Sequence, residues 1–297
     1  MTEPRWIDVA TPGAQLKALS WGSPGDPIAL CLHGFPDTAY GWRRVAPRLV
    51  AAGWRVVAPF MRGYAPSSIP ADGAYQIGAL MDDALRVREA AGGTDADVVI
   101  GHDWGALAAT GLAAMPDSPF RKAVVMSVPP AAAFLRPGHG RRLQLFRQLP
   151  IQLLRSWYIG YFQLPWLPEQ SASWLLPLLW RRWSPGYDAT EDLRHVDAAI
   201  GTPEGWRAAL GPYRATIRRS RSPLGHAELN RYWTQAPRLP TLYLHGRDDG
   251  CMTQAFAALV PAVLPAGSGV AVVGGAGHFL QLEQPDDVAE RILDFIG

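Results

Sequence analysis

Four short, unalternated runs limit the fold more than any other feature of the chain. IALCL (28–32), WRVVAP (54–59), DVVIG (97–101) and KAVVMSV (122–128) are rich in β-branched residues and show no polar face. A strand that is apolar on both sides needs cover on both sides, which is how the strands of a parallel sheet read. Helical patterns lie between them at WRRVAPRLVAA, QIGALMDDALRVREAA and ALAATGLAAM. After residue 240 the rhythm returns as TLYLHG, a helix near 253–260, VAVVGG and a final helix at DDVAERILDFI. Two runs near 5–10 and 14–20 are expected to pair as an antiparallel hairpin at the sheet edge. The expected class is α/β, with a mostly parallel central sheet and helices on both faces.

Between about 130 and 235 the strand-like runs stop. Prolines, arginines and a series of tryptophans from Trp157 to Trp206 take their place. This stretch reads as an all-helical insertion, so the expected organisation is a core in two parts, 1–129 and 236–297, with a helical cap at 130–235. A cap over the carboxyl ends of the strands lies where open α/β sheets bind ligands. Apolar residues make up 48% of the 297, enough for one large core. Net charge is only +2, which argues against nucleic acid or a membrane surface as the main partner. The pairs Arg141 and Arg142, Arg181 and Arg182, and the cluster at 218–221 read as solvated faces.

Cys31 and Cys251 give neither a disulfide framework nor a zinc pattern, and Cys31 reads as a small buried hydrophobe. MTEPRWIDV is not a signal sequence, and WLLPLLW (174–180), broken by Pro177, is too short to span a bilayer. The expectation is a cytoplasmic monomer or homodimer with no stable membrane insertion.

The chemistry is concentrated at VVIGHDWGALAAT (98–110). A strand, a tight turn flanked by Gly101 and Gly105, and a helix form the context of a nucleophile elbow, G-x-S-x-G. The central residue here is Asp103, whose carboxylate also gains from the positive end of the following helix. An ordinary helix N-cap is the plain alternative. HGFPDT (33–38) follows the IALCL strand and supplies the loop that completes an oxyanion hole in such folds. The donors would be the backbone N–H groups of Phe35 and Trp104, with a cis bond expected before Pro36. His278 sits in the Gly-rich loop GGAGHF after a strand and late in the chain, where the general base of a hydrolase falls. HGRDDG (245–250) offers the acid: Asp249 is preferred and Asp248 is the alternative. His33, His102 and His245 read as structural.

A carboxylate at the elbow selects the substrate. A serine alkoxide that attacked a saturated carbon would form an ether and stay blocked. Aspartate forms an alkyl ester, which water can cleave at the aspartyl carbonyl. It is ionised near neutral pH, so the first step needs no base. His278 activates water in the second step, and Asp249 holds its tautomer. The electrophile is then an sp3 carbon bearing a leaving group, in an epoxide or a carbon–halogen bond.

HGFP, MRGYAPSS, GHDWGA, GRDD and GHFLQLEQP, in this order over residues 28–296, resemble the α/β-hydrolase-fold epoxide hydrolases, with haloalkane dehalogenases as near relatives. The resemblance implies the α/β-hydrolase fold and two cap tyrosines that donate to the epoxide oxygen. WYIGYFQLP selects Tyr158 for the first, ALGPYRAT selects Tyr213 for the second, and Tyr161 is left to packing. It implies a small hydrophobic epoxide and water as reactants, a diol product, a role in detoxification, and no cofactor or metal. Phe35 stands where many dehalogenases carry Asn, and Trp104 where fluoroacetate-type enzymes carry Arg. Both lower the alternative of a haloalkane or haloacid dehalogenase. Phe60 replaces a family Asp ahead of Arg62, which is expected to brace the HGFP loop. A non-catalytic protein binding hydrophobic ligands on the same fold is the remaining alternative.

Overall fold

The computed structural model describes residues 3–136, 141–218 and 224–297. Arg219 and Arg221 of the third arginine cluster lie outside the described residues. Eight strands form one sheet: β1 (Arg5–Ala10), β2 (Gln15–Trp21), β3 (Ile28–Leu32), β4 (Arg55–Pro59), β5 (Val98–His102), β6 (Lys122–Met126), β7 (Thr241–Gly246) and β8 (Gly269–Val273). Their spatial order is β1-β2-β4-β3-β5-β6-β7-β8. The β1–β2 hairpin pairs antiparallel at one edge and meets β4 antiparallel, and all later pairs are parallel. Every residue of β3, β4, β5 and β7 is buried, as their unalternated sequences require.

Helices α1 (Ala46–Ala51), α2 (Ile77–Ala90) and α3 (Trp104–Ala114) connect β3 to β4, β4 to β5 and β5 to β6. α1 is shorter than the expected helix because Pro47 suits only a first turn, and a separate 3-10 turn, Ala39–Trp42, precedes it. Only helices lie between β6 and β7 among the described residues. They are α4 (Ala132–Leu135), α5 (Arg142–Arg155), α6 (Trp157–Tyr161), α7 (Ala172–Trp183), α8 (Thr190–Ile200), α9 (Pro203–Ala209), α10 (Gly211–Ile217) and α11 (Leu224–Ala227), with short 3-10 turns. The expected helix near 253–260 is a 3-10 segment, Gln254–Ala262, in which Pro261 has no N–H to continue an α-helical ladder. α12 (Leu280–Glu283) and α13 (Pro285–Ile296) close the chain.

Arg62 does not brace the HGFP loop. Its guanidinium forks onto Asp83 of α2 at 2.6 Å through both Nε and Nη2, and Nη1 donates to Ala74 O at 2.9 Å. The loop is tied to this segment through the backbone instead: the Met61 N–H donates to His33 Nε2 at 3.0 Å. With no family Asp at position 60, the buried guanidinium takes its carboxylate from α2.

Candidate active site

Asp103 occupies the bend between β5 and α3 with φ 53° and ψ −116°, a backbone region that side-chain-bearing residues rarely adopt. Close approach of neighbouring backbone makes the turn possible. A methyl group on Gly101 would lie 2.1 Å from Gly105 O. One on Gly34 would lie 2.4 Å from Asp103 Oδ1 and 2.6 Å from Trp104 N. The HGFP backbone therefore presses directly on the carboxylate, and the Phe35 N–H donates to Asp103 Oδ1 at 2.8 Å. The Phe35–Pro36 bond is cis.

His278 and Asp249 stand in line behind the other carboxylate oxygen. Asp103 Oδ2 is 3.7 Å from His278 Nε2, and His278 Nδ1 is 3.0 Å from Asp249 Oδ2. Asp249 Oδ1 accepts from the N–H groups of Cys251 and Met252 at 2.7 and 2.9 Å, so its orientation is fixed. Asp248 turns away: its N–H donates to Ala276 O, and it lines a surface cleft with Arg155, Trp157 and Trp183. Burial pushes the His278 imidazole down, but the charges of Asp249 and Asp103 outweigh it and raise the group to about 10. Burial likewise pushes both carboxyls up, and the His278 charge overrides it and holds them below the usual range. The resting site thus holds one buried imidazolium between two carboxylates.

Helices α6 and α10 cover this line with aromatic rings. Tyr158 and Tyr213 are buried, with ring centroids 5.8 Å apart. Tyr213 stands edge-on to Trp104 at 4.8 Å and to Phe35 at 5.2 Å. Burial, reinforced by the Asp103 charge, pushes both phenols well above their ordinary value, so they keep their protons. Tyr158 Oη contacts Cys251 Sγ at 3.5 Å, whereas Tyr213 Oη, Trp104 Nε1 and His278 Nε2 are buried polar atoms with no hydrogen bond. Tyr161 points elsewhere and donates to Leu167 O.

A family model for the alpha/beta hydrolase fold matches residues 27–285, in agreement with the mostly parallel sheet. The chain belongs to the α/β hydrolases. This hydrolase is 31% identical to the AB hydrolase superfamily protein YfhM of Bacillus subtilis, over 97% of this chain and 96% of that one. It is 30% identical to an epoxide hydrolase of Caballeronia sordidicola, over 97% and 92% of the two chains. Among solved structures, epoxide hydrolase A of Mycobacterium thermoresistibile superposes with a TM-score of 0.73 at 28% identity, covering 98% of each chain.

Several residues around the site carried no role in the sequence reading. The C-terminal end of α7 clamps the His278 loop: the His278 N–H donates to Trp183 O and Ser184 Oγ at 3.0 and 3.1 Å. The carboxylate of Glu283 accepts from Ser184 Oγ at 2.6 Å and from the N–H groups of Gly277 and Phe279 at 2.8 and 3.0 Å. Glu283 lies inside the GHFLQLEQP motif, so an acid five residues beyond the histidine was the available signal. His245 and Cys251 also meet the line. His245 Nε2 is 3.5 Å from Asp249 Oδ2, and its Nδ1 is 2.5 Å from Tyr243 Oη. No local pattern distinguishes either one from a core residue.

Among the described residues, Asp249, Cys251 and His278 bring possible metal-ligand atoms within 4.8 Å of one another. These residues do not suit a metal ion. Asp249 and His278 are already bonded to each other, and burial pushes the Cys251 thiol well above its ordinary value, keeping it protonated.

Proposed function

We propose that this protein is an epoxide hydrolase converting a small hydrophobic epoxide to a vicinal diol through an ester on Asp103, with residues 130–235 acting as its cap. The observation that carries the reading is a carboxylate at the elbow with His278 Nε2 3.7 Å away. Its relatives named epoxide hydrolases support the substrate class.

Asp103 Oδ1 is held by Phe35 N–H, which leaves Oδ2 as the attacking oxygen. Oδ2 bonds to a ring carbon, the carbon–oxygen bond of the epoxide breaks, and a phenol of Tyr158 or Tyr213 protonates the departing alkoxide. Esterification removes the Asp103 charge that helped to raise His278. The imidazolium then gives its proton to the phenolate, which restores the phenol and leaves His278 a neutral base at the step that needs one. His278 takes a proton from water, the hydroxide attacks the aspartyl carbonyl, and the oxyanion faces the Phe35 and Trp104 N–H groups. Collapse expels the diol oxygen, which takes the acid proton left on Asp103, so that Asp103 returns as a carboxylate and His278 as the imidazolium. The buried charge of Asp249 steadies the imidazolium throughout.

A His278→Gln variant incubated with styrene oxide tests the two-step scheme. Intact mass should show one hydroxyalkyl adduct per chain, mapping to Asp103. Wild-type enzyme in excess, turned over once in 18O-water, should release unlabelled diol first. Unmodified Asp103 in the variant, together with label in the first product, would refute the scheme. A second reading has one specific support: the buried, unpartnered indole N–H of Trp104 beside Asp103 suits a departing halide. Halide release from haloalkanes, with no diol from styrene oxide, would favour a dehalogenase.

A further inference from the structure

Helix α5 is turned inside out. Its partly covered stripe runs Arg141, Leu145, Gln148, Gln152, Arg155, at the spacing of one helical face, and is mostly polar. Gln152 and Arg155 on that stripe bond the core: Gln152 Nε2 donates to Cys251 O, and Arg155 donates to Asp249 O. The opposite face carries the large apolar side chains into solvent, with Phe146 66%, Leu153 71% and Leu154 78% exposed. Ordinary surface helices do the reverse, and an exposed apolar face of this size marks an interaction surface.

The patch extends beyond one helix. Trp157 packs on Tyr161 and Tyr161 on Trp174, which is itself half-exposed; Trp166, next in the chain to the Leu167 whose carbonyl accepts from Tyr161, is 67% exposed. The charges around it are mostly positive, with Asp248 in the adjoining cleft the exception. From residue 131 to 183 the sequence contains seven arginines and a single acid, Glu169, which Arg214 engages at 2.6 Å. The overall charge of +2 conceals this asymmetry, and Arg142, Arg181 and Arg182 are exposed, as expected of solvated faces.

We propose that the outer face of α5, with the Trp166 and Trp174 edge, docks reversibly on an anionic bilayer surface. Leucine and phenylalanine would enter the acyl boundary, the tryptophans would sit at headgroup level, and the arginines would meet lipid phosphates. A second copy of the chain fits less well. A two-fold contact sets a patch against itself, and here arginines would outnumber the nearby acids, Asp248 and the already engaged Glu169. No described helix is long and apolar enough to cross a membrane, so the contact is peripheral. The face also leads toward the site. A cleft lined by Ile151, Leu154, Arg182 and Trp183 opens beside it, and the Trp183 ring stands edge-on to His278 at 5.1 Å. A substrate partitioned into lipid would meet this cleft first, a point that rests on the proposed function.

Vesicle flotation tests the docking without reference to catalysis. The full chain should float with phosphatidylcholine vesicles containing phosphatidylglycerol, remain behind with phosphatidylcholine alone, and be released by salt. Leu143→Asp/Phe146→Asp/Leu153→Asp, three exposed positions of α5 outside that cleft, should lower partition at least about tenfold, with hydrolysis of a water-soluble epoxide unchanged. Arg142→Gln and Arg147→Gln should each lower it about fivefold, equivalent to ~1 kcal/mol per basic residue. Failure of the wild type to float would overturn the proposal. So would a concentration-dependent dimer, dissolved by the triple substitution, in a protein that ignores anionic vesicles.

Discussion

On the core side of Asp103, polar bonds hold the proposed base and its acid: Asp249 accepts from Cys251 N, Met252 N and His278 Nδ1, and the His278 N–H is gripped by Trp183 O and Ser184 Oγ. On the cap side, rings do the holding. Tyr213 is set edge-on against Trp104, Phe35 and Phe162, and its hydroxyl has no hydrogen bond. The difference follows from what each wall must present. In the proposed mechanism a base and its orienting acid need one fixed geometry through two chemical steps, and charge-assisted hydrogen bonds supply it. A donor to a leaving oxygen must keep its O–H free until substrate arrives. Packing fixes a phenol ring without occupying its hydroxyl.

The largest test of this contrast is Asp249→Asn. The side chain remains in place, but it can no longer stabilise an imidazolium, and kcat should fall about 10⁴-fold. Rapid quench should show the ester accumulating, because loss of a competent base slows hydrolysis rather than attack. An equal slowing of both steps would break the assignment of the polar wall to the second step.

The cap wall should respond less. Tyr158→Phe/Tyr213→Phe should lower kcat by about 10²- to 10⁴-fold, the range for a lost general acid. Each single change should cost less, because the other phenol remains. Ester should not accumulate, because the proposed role of these residues is in ring opening. Both singles abolishing turnover would show that the phenols act as one unit rather than as alternatives.

The smallest effect separates the walls by pH. The folded His278 is raised from 6.5 to about 10, so its stabilisation is complete below pH 6.5 and disappears as pH rises through about 10. Asp103 and Asp249 are lowered, so theirs is present above the ordinary 3.8 and is lost as pH falls through their depressed values. The thermal midpoint of the resting protein should therefore decline on the alkaline side. Asp103→Asn, which removes one of the two charges holding His278 up, should move that decline to lower pH. Scanning calorimetry at a series of pH values measures it, and superimposable alkaline limbs would contradict the ion-paired resting state. Tyr158→Phe should leave the limb where it is.

The sheet was legible because each buried strand is a local statement. IALCL and RVVAP have no polar side to expose, and the Gly residues around Asp103 mark a turn within eight residues of sequence. The carboxylate at the elbow needed no structure to suggest an ester and a saturated electrophile, since that conclusion follows from the chemistry of the residue. Other features were not local. Asp248 and Asp249 are neighbours of the same type, and only the path of the loop sets one against His278 and turns the other to the surface. Ser184 and Glu283 are 99 residues apart and become partners where α7 ends on the His278 loop. The sequence of α5 shows an apolar face and a polar one, but periodicity cannot say which of them turns inward. That depended on the Gln152 and Arg155 bonds to the loop after β7, made across about a hundred residues of chain, and they turned the apolar face outward.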